Sequence, residues 1–288
     1  MDKIPNGETR TAEKGMQLIH KMCDALLKWT AVPPRIIQTI QPERASRNDT
    51  QQLLARSARK LCEDLGATVS LLSTGFVGPS HALIRMCREN VVAMLWLGLA
   101  PKHERERYAR LVIEQKPAAT RVKLHRLATT VLARLGAQLS MSTRVRFDTA
   151  TLSGEQFRTE EALAKQDGSA GHDLNFNALV HRLAELLARD YGNEANALLT
   201  TAIDYWIESE IIHNGFNAIE VYHVNGGNWF ENVDRIEDIL VLLIDLRVIT
   251  ILTNTALLHG FDAIGRLPPP TQIEELRTVV QEIRDFLH

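Results

Sequence analysis

A chain of 288 residues with 45% apolar and 24% charged residues has the composition of an ordinary folded protein, which excludes intrinsic disorder and fibrous repeats. At this length folding hides about three quarters of the unfolded surface, so the core needs neither disulfides nor structural metals. The net charge of −2 conceals an uneven distribution: between Lys102 and Arg146 eleven Lys or Arg face three Glu, an excess of +8 that leaves −10 elsewhere. Such a stretch marks either a surface for nucleic acid or an acidic partner, or a set of solvated faces and internal ion pairs.

Cys23, Cys62 and Cys87 are odd in number, lie far apart and fall within helix-spaced apolar patterns. That is the pattern of reduced core thiols rather than of disulfides or a zinc site. The N-terminus, Met-Asp-Lys-Ile-Pro-Asn-Gly, has no apolar stretch of signal-peptide length, and with the thiols it leads to an expectation of a cytoplasmic protein. The most apolar runs are Val91 to Ala100, too short to span a bilayer, and Ile239 to Leu258, which carries Asp245, Arg247 and Asn254. Both are expected to be buried helices, with no membrane partner.

Helix-spaced apolar residues recur almost throughout, which predicts an all-α, single-domain multi-helix bundle over residues 1–288, with 1–47 as an N-terminal helical extension. Met16, Ile19, Cys23, Leu26 and Leu27 form the first stripe, which Pro33 and Pro34 end, and a short helix follows over about Arg35 to Ile40. Asp49 with Gln52 is a capping pair for a long helix that Gly75 and Gly78 break, and Pro79 suits the first turn of the next, which runs to Gly98 and looks central. After Pro101 a charged helix turns Tyr108, Leu111 and Val112 inward. Pro117 is expected to kink or divide it from a helix carrying Leu124, Leu127, Val131 and Leu135, with Gly136 as its C-cap.

Residues 137–171 are the least regular, with a short extended piece expected at Ser142 to Phe147 and a helix opened by Ser153 and Gln156. Three strongly patterned helices follow: Leu174 to Tyr191, Glu194 to His213 and Val233 to His259. Pro268, Pro269 and Pro270 form a stiff connector, and Thr271 with Glu274 is a capping box for the last helix.

Two polar constellations stand out. Arg85 and Glu89 lie one turn apart on the most apolar helix, so their heads share a face; they are either a catalytic or binding pair or a structural ion pair. Tyr205, Ser209 and His213, at four-residue steps, stack three hydrogen-bonding side chains on one helix face. Ser209 and His213 make a hydroxyl–imidazole pair of the kind used in acid–base or nucleophilic chemistry, or else a ladder that sets helix register, with no nucleophile turn beside them.

The run Leu83-Ile84-Arg85-Met86-Cys87-Arg88-Glu89, the downstream Trp96 and Arg-rich helix, and the Tyr205, Ser209 and His213 spacing together resemble a bacterial family of all-helical proteins. That family carries an Arg-x-x-x-Glu helix and a Tyr-x-x-x-Ser-x-x-x-His helix, and is similar to abortive-infection and HEPN-like helical domains. The resemblance spans roughly residues 78–222. It implies a helical bundle and a role in defence or stress, and it implies that Arg85, Glu89, Tyr205, Ser209 and His213 converge between two central helices.

A helical ribonuclease of that lineage would place four to six residues between an Arg and a His, and Arg121 with His125 has three. Glu210 with His213 and Glu220 with His223 are two Glu-x-x-His pairs of the di-iron type, but they lie close around Gly215 and lack two further carboxylates. Asn225-Gly226-Gly227-Asn228 reads as a turn, and no dinucleotide or phosphate-loop signature is present. The expectation is therefore a binding or regulatory module without a cofactor. Its partner is a small molecule or a protein, with nucleic acid at residues 102–146 and a homo-oligomer through the Val233 to His259 helix as further candidates. The competing class is an RNA-cleaving or metal-dependent enzyme built on Glu89 and His213.

Overall fold

The computed structural model describes residues 6–40, 49–166, 173–212, 233–263, 265 and 267–285, with side chains over 13–38, 49–166, 173–206, 236–263, 265 and 267–285. Every regular element among them is a helix. Contacts gather into two compact units, residues 1–100 with 176–288, and residues 101–175.

The first unit is organised around one helix. α1 (Asn6–Thr30) and α2 (Val32–Ile40) precede the long α3 (Asp49–Ser73), and Gly75, at φ 82°, turns the chain into α4 (Val77–Leu99). Only glycine takes that backbone angle without strain. Gly78 is not a break, since it falls in the first turn of α4. The second half of α4 is apolar on nearly all sides, as a helical stretch must be when it has no face toward water. Val91, Val92, Met94, Leu95, Trp96 and Leu97 are all buried.

Around α4 pack α3, α9 (Phe176–Leu187), α10 (Gly192–Ile212) and α11 (Val233–Ala263), with α1 against α3 and α11. On α1 the buried stripe is Ile19, Met22, Cys23, Leu26 and Trp29, while Met16 and Leu27, expected inside, are exposed. Burial pushes the Cys23 thiol up to about 11 and the Cys62 thiol up to about 12, with Asp24 and Glu63 adding repulsion. Both are unreactive core groups at neutral pH, and Cys87 is also buried and forms no disulfide.

α11 is long and apolar enough to cross a membrane, yet 61% of its most apolar window is buried inside the unit. Several of its polar residues are used internally. Thr250 and Thr253 donate their hydroxyls to carbonyls of the preceding turn at 2.7 and 2.6 Å. Arg247 donates to the carbonyls of Ile283, at 3.0 Å, and Arg284, capping the C-terminal end of α12 (Pro270–Asp285). α12 begins with Pro270, ahead of the expected Thr271 and Glu274 box, because proline suits a first helical position that needs no N–H.

The second unit starts with α5 (Lys102–Arg110), continues through one π-helical turn (Leu111–Gln115) into α6 (Lys116–Leu135), and adds α7 (Met141–Thr149) and α8 (Gly154–Ala164). Pro117 does not divide the helix. The wider turn, in which the Lys116 N–H bonds to the Leu111 carbonyl five residues back, accommodates a ring that would collide with a regular ladder. The extended piece expected at Ser142 to Phe147 is helical instead, because the Ser140 side chain accepts the Thr143 N–H and caps α7. Ser153 and Gln156 do form a reciprocal capping box at α8. Gly136 is the C-cap of α6 as expected, in a right-handed conformation at φ −53° that opens a short 3₁₀ turn. On α6 the buried residues are Ala118, Val122 and Ala128, and Leu124, Leu127 and Leu135 point outward at 48%, 56% and 46% exposure.

α4 and α11 approach closely enough to constrain Gly98, and α3 crowds Gly260. A Cβ on Gly98 would lie 3.0 Å from both the Gly260 backbone nitrogen and the His259 Cβ, whereas one on Gly260 would meet the Leu54 Cδ2 at 2.7 Å. Backbone cannot move aside as a leucine terminus can. Gly98→Ala is expected to cost about 1–3 kcal/mol of stability and Gly260→Ala distinctly less, as read from the midpoints of denaturant unfolding.

Candidate functional site

α4 carries three charged residues within five positions, Arg85, Arg88 and Glu89, on an otherwise apolar helix. Each therefore needs partners from neighbouring helices. Two adjoining clusters supply them.

The outer cluster joins Arg85, Glu89 and Tyr205. The Arg85 Nη2 donates to the Tyr205 hydroxyl at 3.0 Å, that hydroxyl donates to the Glu89 Oε1 at 3.0 Å, and the Arg85 Nε lies 3.5 Å from the same carboxylate. The guanidinium sits 4.8 Å from the centre of the Tyr205 ring, which is stacked on Phe176 of α9 at 4.0 Å. Desolvation raises the Tyr205 phenol above its ordinary value; the Arg85 hydrogen bond opposes this, and the Glu89 charge reinforces it. Of the five residues expected to converge, these three meet. Ser209 lies on the last turns of α10, its side chain outside the described residues, and His213, with Glu220 and His223, lies outside them altogether.

The inner cluster was not read from the sequence. Arg88 is 1% exposed, and its Nη2 lies 3.0 Å from the Asp245 Oδ2 on α11 and 3.5 Å from the Asp204 Oδ2 on α10. The two carboxylates are about a quarter exposed, at 25% and 29%, so the guanidinium is sealed while its counter-ions reach a recess. That recess holds about 110 Å³ and is lined by Arg88, Thr200, Thr201, Asp204 and Asp245 among others. The signal available beforehand was Asp245 interrupting an apolar run. Arg182 on α9, whose guanidinium covers the buried Trp96 at 4.4 Å, had no comparable mark.

In the second unit, part of the basic excess is paired. Arg121 forms two hydrogen bonds to Glu160 at 2.7 and 2.8 Å, Arg126 reaches Glu161 at 2.6 Å, and Arg107 reaches Asp173 at 3.2 Å. The His125 Nδ1 accepts the Leu152 N–H at 2.9 Å, so the Arg121 and His125 pair closest to a ribonuclease motif is engaged in packing. Among the described residues no group of three His, Cys, Asp or Glu side chains is placed to hold a metal ion.

The two clusters differ in what their loss should cost. Arg88→Ala leaves two neighbouring carboxylates without their cation, and a loss of about 3–5 kcal/mol is expected; Glu89→Gln, at a half-exposed position, should stay within about 1 kcal/mol in the same urea titration. Tyr205→Phe should cost about 1 kcal/mol by removing the bridging hydroxyl. Because the folded phenol holds its proton more tightly than the unfolded one, its contribution is complete below the ordinary tyrosine range and is lost as pH rises through the elevated value. The parent should therefore lose more stability than Tyr205→Phe on going above about pH 10, measured by chemical unfolding at each pH. Comparison with protein-family models, with curated proteins and with solved structures finds no match to this chain.

Proposed function

We propose that this protein is a helical binding or regulatory module whose recess between α4, α10 and α11 receives the ammonium head of a small organic cation. The observation that carries this reading is the recess itself, floored by a buried arginine and rimmed by two partly exposed aspartates. One guanidinium against two carboxylates leaves a surplus of one negative charge. The hydroxyls of Thr200 and Thr201 donate back to the Asn196 and Ala197 carbonyls at 3.1 and 2.9 Å, so what they offer the recess is acceptor oxygen. A pocket rich in acceptors and short of one positive charge suits a donor cation such as a primary ammonium. Its volume equals roughly three to four water molecules at about 30 Å³ each, room for a small head group. A regulatory role in bacterial defence or stress is the part of this proposal supported by the Arg-x-x-x-Glu and Tyr-x-x-x-Ser-x-x-x-His resemblance.

Methylammonium chloride, compared with potassium chloride at equal ionic strength, is the direct probe. Saturating methylammonium is expected to raise the thermal midpoint by about 2–5 °C, and Asp245→Asn should abolish the difference between the two salts. An equal response to potassium, or a response that Asp245→Asn leaves intact, would overturn the cation reading. RNA cleavage by the parent that His213→Ala removes would replace it with a catalytic one.

A further inference from the structure

α6 presents an amphipathic face to which nothing in its own unit corresponds. At 100° per residue Leu124, Leu127, Val131 and Leu135 fall within one narrow stripe, and three of them are about half exposed while Ala118, Val122 and Ala128 take the buried side. Lys123 and Arg134 lie together along one edge of that stripe by the same angular count. Among the described residues neither has a carboxylate within ion-pair distance, although Arg121 and Arg126 on the same helix are matched by Glu160 and Glu161 of α8. α7, which packs on α6, adds Met141 and Val145, one turn apart and also exposed.

We propose that this face docks an amphipathic helix of another protein, apolar along its centre and acidic along one edge. The chemistry is set by the stripe and its margin. An apolar row of about three turns seats the hydrophobic face of a partner helix as in a helix-in-groove contact, and Lys123 and Arg134, eleven residues or about 16 Å apart along the axis, require carboxylates at matching spacing on the partner. A second copy of this chain fits less well. In an antiparallel self-pairing centred on the stripe, like edges face each other and Lys123 approaches Arg134 of the other copy, a like-charge contact. Nucleic acid fits less well too, because Arg107, Arg121 and Arg126 are engaged by Asp173, Glu160 and Glu161, and a leucine row offers a phosphate backbone nothing.

The test uses the full chain and a synthetic helical peptide of about 20 residues with leucines at helical spacing and glutamates along one edge, two of them eleven residues apart. Fluorescence anisotropy should show binding by the parent. Leu127→Ser should weaken it by about tenfold or more, and the double variant Lys123→Glu, Arg134→Glu should do the same while binding the peptide in which lysine replaces glutamate. All three substituted positions are exposed, and unchanged circular dichroism confirms that the variants fold. Absence of peptide binding overturns the proposal, as does binding to the double variant as strong as to the parent. Polyuridylate binding that the double variant loses and Leu127→Ser retains would assign the face to nucleic acid instead, and self-association of the parent abolished by Leu127→Ser would assign it to a second copy.

Discussion

A guanidinium removed from water at the centre of a helical unit is the constraint around which residues 1–100 and 176–288 are arranged. Arg88 cannot reach solvent, and an uncompensated buried charge costs several kcal/mol, so α10 and α11 must each turn a carboxylate toward α4. This fixes the rotation of both helices about their axes. With Asp204 held against Arg88, the next residue on α10 points about 100° away, which is where Tyr205 meets Arg85 and Glu89. The outer cluster is thus positioned by the inner one, and the stacking of Phe176 on Tyr205 extends that alignment to α9.

What was legible in the sequence follows from what is local. Helical periodicity identified the elements, including the centrality of α4, and the four-residue step between Arg85 and Glu89 placed both heads on one face because that relation lies within a single helix. Arg88 escaped notice because its partners are 116 and 157 residues away, and no periodicity reports a contact between helices. Leu124, Leu127 and Leu135 show the same limit from the other side. Their spacing correctly defined a face, but a face has no direction until something packs on it, and in α6 the small residues Ala118 and Ala128 admit the closer neighbour. At Ser142 to Phe147 the alternation of Arg with Val and Phe imitated a strand, and one serine cap two residues upstream decided for a helix.

The charge distribution also changes meaning once the chain is folded. The excess of +8 between Lys102 and Arg146 falls to +4 over residues 101–175, where thirteen Lys or Arg meet nine Asp or Glu, because the acids of α8 follow shortly in the sequence and return to α6. Exposed pairs of this kind contribute little individually, but the bonds from Arg121 and Arg126 converge on adjacent residues of one helix, and the Arg126 guanidinium also lies 5.7 Å from the Phe157 ring. They fix which side of α6 is covered, and hence which side is left to face outward.

The same reasoning separates structural from recognising charges in the first unit. An arginine 1% exposed chiefly organises its surroundings, with its Nη2 held by Asp204 and Asp245. The aspartates are different: each has one side turned to Arg88 and another to the recess, so each remains solvated by whatever enters. An anion entering there would add to the surplus negative charge, and an apolar group would strip water from two carboxylates without replacing its hydrogen bonds. A donor carrying one positive charge brings the recess to neutrality while giving both carboxylates a partner, which is why the physical cost of burying Arg88 and the chemistry available for recognition are two consequences of one arrangement.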